Sequence, residues 1–163
     1  MKNKTKRLAT LSISVSLAMV LSFVESQIPA FVAIPGVKIG LANIAVVFAL
    51  YKLGWKEAIA VSLVRVALVS LLFGSFVSLL YSLSGAVLSL AVMLLLKPIS
   101  ALGKIGVSVS GGVCHNIGQI IVASAIMETN VILYYLPFLL LSGTVAGIAI
   151  GLVSALLVNR IKI

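Results

Sequence analysis

Charge in this chain is confined to short intervals between long apolar runs, and that spacing restricts the fold more than any other feature. Apolar stretches occupy about 8–24, 39–51, 57–73, 77–96, 106–127 and 131–158. A helix needs about 20 apolar residues to cross a bilayer, with a usual range of about 17–25. The second stretch is short and the sixth is long, so one is expected to be enclosed by its neighbours and the other to tilt or protrude. Only 9% of the 163 residues are charged and 62% are hydrophobic, whereas a soluble domain is about one-quarter charged. Mean hydropathy is +1.31. The pattern predicts an all-α integral membrane protein, a single membrane domain over 1–163 built as a six-transmembrane-helix bundle. A loop over 25–38, with two prolines, joins the first two helices.

Twelve Lys/Arg against three acids leave a net charge of +9. The cations flank apolar runs and form no stripe, which argues against nucleic acid and for the positive-inside rule. With six spans and a cytoplasmic N-terminus, Lys2, Lys4, Lys6, Arg7, Lys52, Lys56, Lys97, Lys104, Arg160 and Lys162 all fall inside. Lys38 alone falls outside, and Arg65 lies within a span. Both termini are therefore expected in the cytoplasm, in a multi-pass membrane protein. The basic start followed by an apolar run also fits a signal peptide. However, no A-x-A site follows, and the rest of the chain is equally apolar.

Small residues recur every four positions on two helices: Thr10, Ser14, Ala18 and Ser22, then Gly143, Gly147, Gly151 and Ala155. Such faces let helix backbones approach closely in lipid. The second stripe is read as helix packing. The first is either internal packing or, through Ser14, Ala18 and Ser22, a docking face for a partner membrane subunit.

Polar residues at membrane depth are the candidate binding residues. Arg65 lies nine residues beyond Lys56, hence roughly 13 Å into its span. An Arg there costs about 2.5–3.5 kcal/mol on insertion scales, and such residues usually face a cavity or the bundle interior. It either finds backbone carbonyls or awaits a ligand anion. His115 and Gln119 share a helical face at i, i+4 with Asn116 adjacent, near mid-depth in the fifth span. Glu25, Gln27, Lys38 and Asn43 join them from the first loop and the helix after it. Phe31, Phe73, Phe76, Tyr81, Tyr134 and Tyr135 either line an outward pocket or form the ordinary aromatic belt. Pro137 is expected to kink the sixth helix.

Catalysis is not indicated. The acids stand apart at 25, 57 and 128, whereas Mg²⁺-dependent diphosphate chemistry needs clustered carboxylates. There is no GxSxG, Walker A motif or Cys/His dyad, and no cofactor or metal site is implied. Cys114 is the single cysteine, so no internal disulfide is possible.

The segments "ESQIP" (25–29), "PGVKIGLANI" (35–44), "HNIGQ" (115–119) and "YYLP…LLSG" (134–143) resemble the Gx transporter family, also labelled heptaprenyl diphosphate synthase component I. That family is similar to the substrate-binding S components of energy-coupling factor (ECF) transporters. The resemblance implies six helices with both ends inside, a capping outer loop and a docking face on helix 1. It also implies capture of a small solute from outside, with release driven by a coupling subunit and an ATPase pair. S components commonly carry an acid soon after the Lys before helix 2. Here Ile39, Gly40 and Leu41 follow Lys38, so no particular vitamin is implied, and the charges point to an anionic or polar ligand. The alternative is a non-catalytic membrane partner of a prenyl diphosphate synthase or of a flavin/quinone-linked electron-transfer complex.

Overall fold

The computed structural model describes residues 2–27 and 40–161. Within them the chain forms six α-helices: α1 (Lys2–Gln27), α2 (Asn43–Lys52), α3 (Trp55–Phe73), α4 (Phe76–Leu96), α5 (Gly103–Ile126) and α6 (Leu136–Arg160). Short 3-10 turns at Ser100–Leu102 and Val131–Tyr135 precede α5 and α6. No strand occurs among the described residues. Among the described residues four helical stretches are long and apolar enough to cross a membrane: Lys4–Gln27, Phe76–Leu96, Ser100–Ile126 and Val131–Arg160.

The other two helices differ from that pattern in different ways. α3 has 19 residues but carries Lys56, Glu57 and Arg65. α2 has ten residues, about 15 Å of helix, which is half the ~30 Å hydrocarbon thickness. It lies inside the bundle, with every residue from Ala45 to Leu50 buried. A helix apolar on all faces has no outward side to offer, and the sequence of α2 is of that kind. The core around it draws on all six helices, with Ala18, Val46, Leu50, Val61, Leu90, Val107 and Ile150 in one cluster.

Consecutive helices alternate in direction, and side chains pin their ends together. Arg7 Nη2 donates to Leu53 O at 2.7 Å and to Glu57 Oε1 at 2.5 Å, tying the start of α1 to the α2–α3 turn. Lys97 Nζ donates to Leu50 O at 2.7 Å, placing a cation on the carbonyls at the C-terminal end of α2. Lys104 Nζ reaches Asn159 Oδ1 at 3.2 Å. The cations at these helix ends therefore collect at one end of the bundle. At the opposite end the Glu25 carboxylate accepts the Gly40 N–H. Gly54, at φ 132°, makes the tight α2–α3 turn, a backbone region that side chains strain.

Three expectations need correction. α1 continues to Gln27, so Glu25 and Gln27 belong to its last turn and not to the loop. α2 starts at Asn43 rather than 39. Pro137 falls in the first turn of α6, where a proline's missing N–H has no helical acceptor to serve; it opens the helix instead of kinking it.

Candidate functional site

The glycine stripe of α6 determines how closely the C-terminal helices meet. A Cβ added at Gly147 would lie 2.6 Å from Val109 Cα, and one at Gly151 would lie 2.9 Å from Ile105 Cα. A Cβ at Gly143 would fall 2.9 Å from Gly112 O. α5 and α6 thus touch backbone to backbone along Gly143, Gly147 and Gly151. On its other side α5 meets α4 through Gly118, where a Cβ would sit 2.7 Å from Ser84 O. Ser84 Oγ donates to Gly118 O at 3.0 Å across the same contact.

Above these contacts a polar cavity of about 80 Å³ opens between the two halves of the bundle, with lining residues from all six helices. Glu25, Asn43, Arg65, His115, Asn116 and Gln119, spread over 95 positions of sequence, all line it. Lys38 lies outside the described residues, as does Phe31. Gln27 is exposed in the last turn of α1 and is not among the lining residues.

Each side chain is held by a local cause. Glu25 is 8% exposed, fixed by the Gly40 N–H at the level where α2 begins. The His115 ring rests on Gly85 of α4, where an added Cβ would be 2.8 Å from Cε1. Asn116 Nδ2 donates to Leu139 O at 2.7 Å and to Ser142 Oγ at 3.4 Å, fastening α5 to α6. Part of Asn116 is therefore structural, and Gln119 one turn on is buried beside it.

Arg65 is the exception. It is partly buried, its Nε wholly so, and Nε has no hydrogen-bond partner among the described residues. No other hydrogen bond or ion pair holds the guanidinium there; the Glu25 carboxylate acts on it electrostatically. A guanidinium carries five N–H donors in a rigid fork suited to carboxylate or phosphate. Leaving such donors buried without acceptors costs about 1–3 kcal/mol or more.

The docking reading of the α1 stripe is corrected. Ser14, Ala18 and Ser22 are 4%, 0% and 8% exposed, because this face packs against α2 and α3. Ser22 also lines the cavity. Sequence reasoning missed four further hydroxyls there: Ser26, Ser70, Ser78 and Ser82. The signal was i, i+4 spacing in Ser22/Ser26 and Ser78/Ser82, which puts each pair on one helical face. Of the aromatics, Phe73 lines the cavity and packs on Phe23, ring centroids 5.2 Å apart. Phe76, Tyr134 and Tyr135 are exposed, as side chains of an aromatic belt are.

Among the described residues no three His, Cys, Asp or Glu side chains cluster in a way that could hold a metal ion. The arrangement can bind and orient a small polar molecule, with a cation, an anion, amides, an imidazole and hydroxyls in one chamber.

These features define a membrane protein, all-helical over the described residues, with a polar chamber lined by all six helices. The chain belongs to the heptaprenyl diphosphate synthase component I family, whose model matches residues 14–157. No curated protein and no solved structure matches it.

Proposed function

We propose that this protein is the solute-binding membrane subunit of an ECF-type importer. It captures a small polar solute bearing a carboxylate- or phosphate-type group, then passes it inward with a coupling subunit and an ATPase pair. The observation that carries this reading is Arg65, whose buried Nε has no hydrogen-bond partner among the described residues, in a polar chamber. A structural arginine would have found backbone carbonyls, as Arg7 finds Leu53 O. In this reading the protein is not an enzyme, and Glu25, Asn43, His115, Asn116 and Gln119 complete the ligand shell around Arg65. Lys38 belongs to the same binding proposal.

The topology belongs to the same proposal. All six helices cross the membrane, α3 with Arg65 facing the chamber, and both termini lie in the bacterial cytoplasm. The collection of Lys/Arg at one end of the bundle supports this orientation. With the Ser14 stripe turned inward, the face of α1 left to a coupling subunit is the exposed one bearing Ser12 and Ser16.

Native mass spectrometry of protein purified from its host membrane tests solute capture. A bound small molecule should be present in the wild type and absent from Arg65→Gln; retention in the variant would sink the assignment. The family description carries a second reading, a non-catalytic membrane partner of a prenyl diphosphate synthase; a flavin/quinone-linked complex is the other form of that alternative. Its synthase version predicts that adding this protein changes the product length or rate of such a synthase in vitro.

A further inference from the structure

Two amides one turn apart on α5 are used differently. Asn116 Nδ2 is engaged with Leu139 O and Ser142 Oγ. Gln119 lines the same chamber and is 9% exposed, yet its side chain makes no hydrogen bond among the described residues. Ser70 of α3, 8% exposed and also in the lining, is alike. Helical hydroxyls elsewhere in the bundle satisfy themselves. Ser14, Ser110 and Thr144 each donate to the carbonyl four residues back, at 2.8–3.0 Å. The Ser70 hydroxyl does not.

Buried polar side chains in folded proteins are nearly always paired, so Gln119 and Ser70 mark a place where a bound molecule completes the set. Both are neutral, and both can donate and accept. Arg65 and Ser70 come from α3, which packs against α1, α2 and α4, whereas Gln119 comes from α5, which packs against α4 and α6. The chamber therefore separates the guanidinium from the amide. A ligand with a carboxylate and nothing else polar would engage Arg65 and leave the Gln119 amide against an apolar group, stripped of water. Sites built to bond a hydroxyl reject the analogue that lacks it for this reason. Size keeps the ligand short: one water needs about 10–15 Å³ of comparable volume, and the chamber measures about 80 Å³.

We propose that the chamber selects a short hydroxy acid, its carboxylate held by Arg65 and its hydroxyl by the Gln119 amide. This rests on the solute-capture reading above and names the ligand class for that same site. Gln119 is the selectivity residue: its buried amide goes unpaired when an acid without the hydroxyl binds.

The test uses the full-length protein in lipid nanodiscs and four probes of similar size: propionate, lactate, 3-hydroxypropionate and β-alanine. Saturable binding is read by equilibrium dialysis, and circular dichroism checks each variant for folding. Lactate or 3-hydroxypropionate should bind the wild type about ten-fold or more tightly than propionate. Gln119→Met, similar in volume but without the amide, should bring that preference close to parity. If Gln119→Met does not fold, Gln119→Asn withdraws the amide by a methylene and should lower the same preference. Arg65→Gln should abolish binding of every acid in the panel. The wild-type preference persisting in a folded Gln119 variant would overturn the hydroxy-acid assignment. Propionate binding the wild type as well as both hydroxy acids, with loss in Arg65→Gln, would overturn it too and leave solute capture standing. Tighter binding of β-alanine than of either hydroxy acid also overturns it, as does saturation by none of the four. A co-purified solute retained by Arg65→Gln overturns solute capture itself.

Discussion

The two halves of this bundle are built on opposite principles. α1–α3 contain no glycine within their helices, whereas α4–α6 carry Gly85, Gly106, Gly111, Gly112, Gly118, Gly143, Gly147 and Gly151 inside theirs. The glycine-lined half brings backbones into contact, and its two interfaces, α4–α5 and α5–α6, are the largest in the molecule. The glycine-free half wraps around α2 with Val46, Val47, Leu50 and Val61, and it holds the two charges among the described lining residues, Glu25 and Arg65. In lipid no hydrophobic effect draws one helix to another, so close packing and interhelical hydrogen bonds supply the cohesion. The difference teaches that the C-terminal half is the rigid wall of the chamber, while the N-terminal half carries the electrostatic features that a ligand reads.

The largest predicted effect breaks the rigid wall. Gly147→Leu puts a branched side chain where even a Cβ would stand 2.6 Å from the α5 backbone. The helix-propensity gain over glycine, about 1 kcal/mol, is smaller than the overpacking cost of about 3 kcal/mol or more. Loss of the monodisperse folded peak in detergent is the expected outcome, and a wild-type melting profile would contradict the close-contact account.

Arg65→Met should act in the opposite direction on the other half. Removing a guanidinium whose Nε has no acceptor among the described residues relieves a cost of about 2 kcal/mol, partly offset by losing its attraction to the Glu25 carboxylate, so the ligand-free protein should melt no lower than the wild type. The same variant should lose any stabilisation by solute. A destabilised ligand-free variant would mean that Arg65 is structural after all.

Asn116→Ala sits on the boundary of the comparison, because Asn116 lines the chamber yet fastens α5 to α6. Interhelical hydrogen bonds in membranes average about 0.6 kcal/mol and reach about 1.7, so a loss near 1 kcal/mol is expected from thermal unfolding. Solute affinity should fall as well, whereas a change in only one of the two would assign the residue a single role.

The smallest effect belongs to Arg7 and Glu57, whose side chains are 54% and 23% exposed. A double-mutant cycle over Arg7→Gln and Glu57→Gln should give a coupling of about 0.5 kcal/mol or less, reduced further by salt. A much larger coupling would show that the basic end, and not only packing around α2, holds α1 against α3.

Much of the candidate site was legible because lipid makes polarity conspicuous. Arg65, and the i, i+4 pair His115 and Gln119, stand out in apolar runs where each must face away from lipid. Glu25 was visible as a residue but misplaced, since helix ends are set by hydrogen bonds such as the one it makes to Gly40 N–H, not by hydropathy. The serines of the chamber were hard to see for a different reason. A serine in such a helix can satisfy itself on its own backbone, as Ser14 Oγ does on Thr10 O at 2.8 Å. Nothing in the residue type separates those from the serines that line a chamber.

The stripe of Ser14, Ala18 and Ser22 marks the same limit. Spacing alone fixes that these residues share a face, because 3.6 residues per turn brings every fourth position to one side. Which neighbour covers that face depends on where α2 goes, and a ten-residue helix buried on all sides has no periodicity that reveals its place. By itself, then, the sequence determined the solvent, the helical class, the charged end and the polar residues that lipid could not tolerate outside. Tertiary structure alone decided that Glu25 and Arg65 share one chamber and that the Arg65 Nε there has no hydrogen-bond acceptor among the described residues. Pairing across 40 positions is set by how three helices pack, and hydropathy carries no information about that.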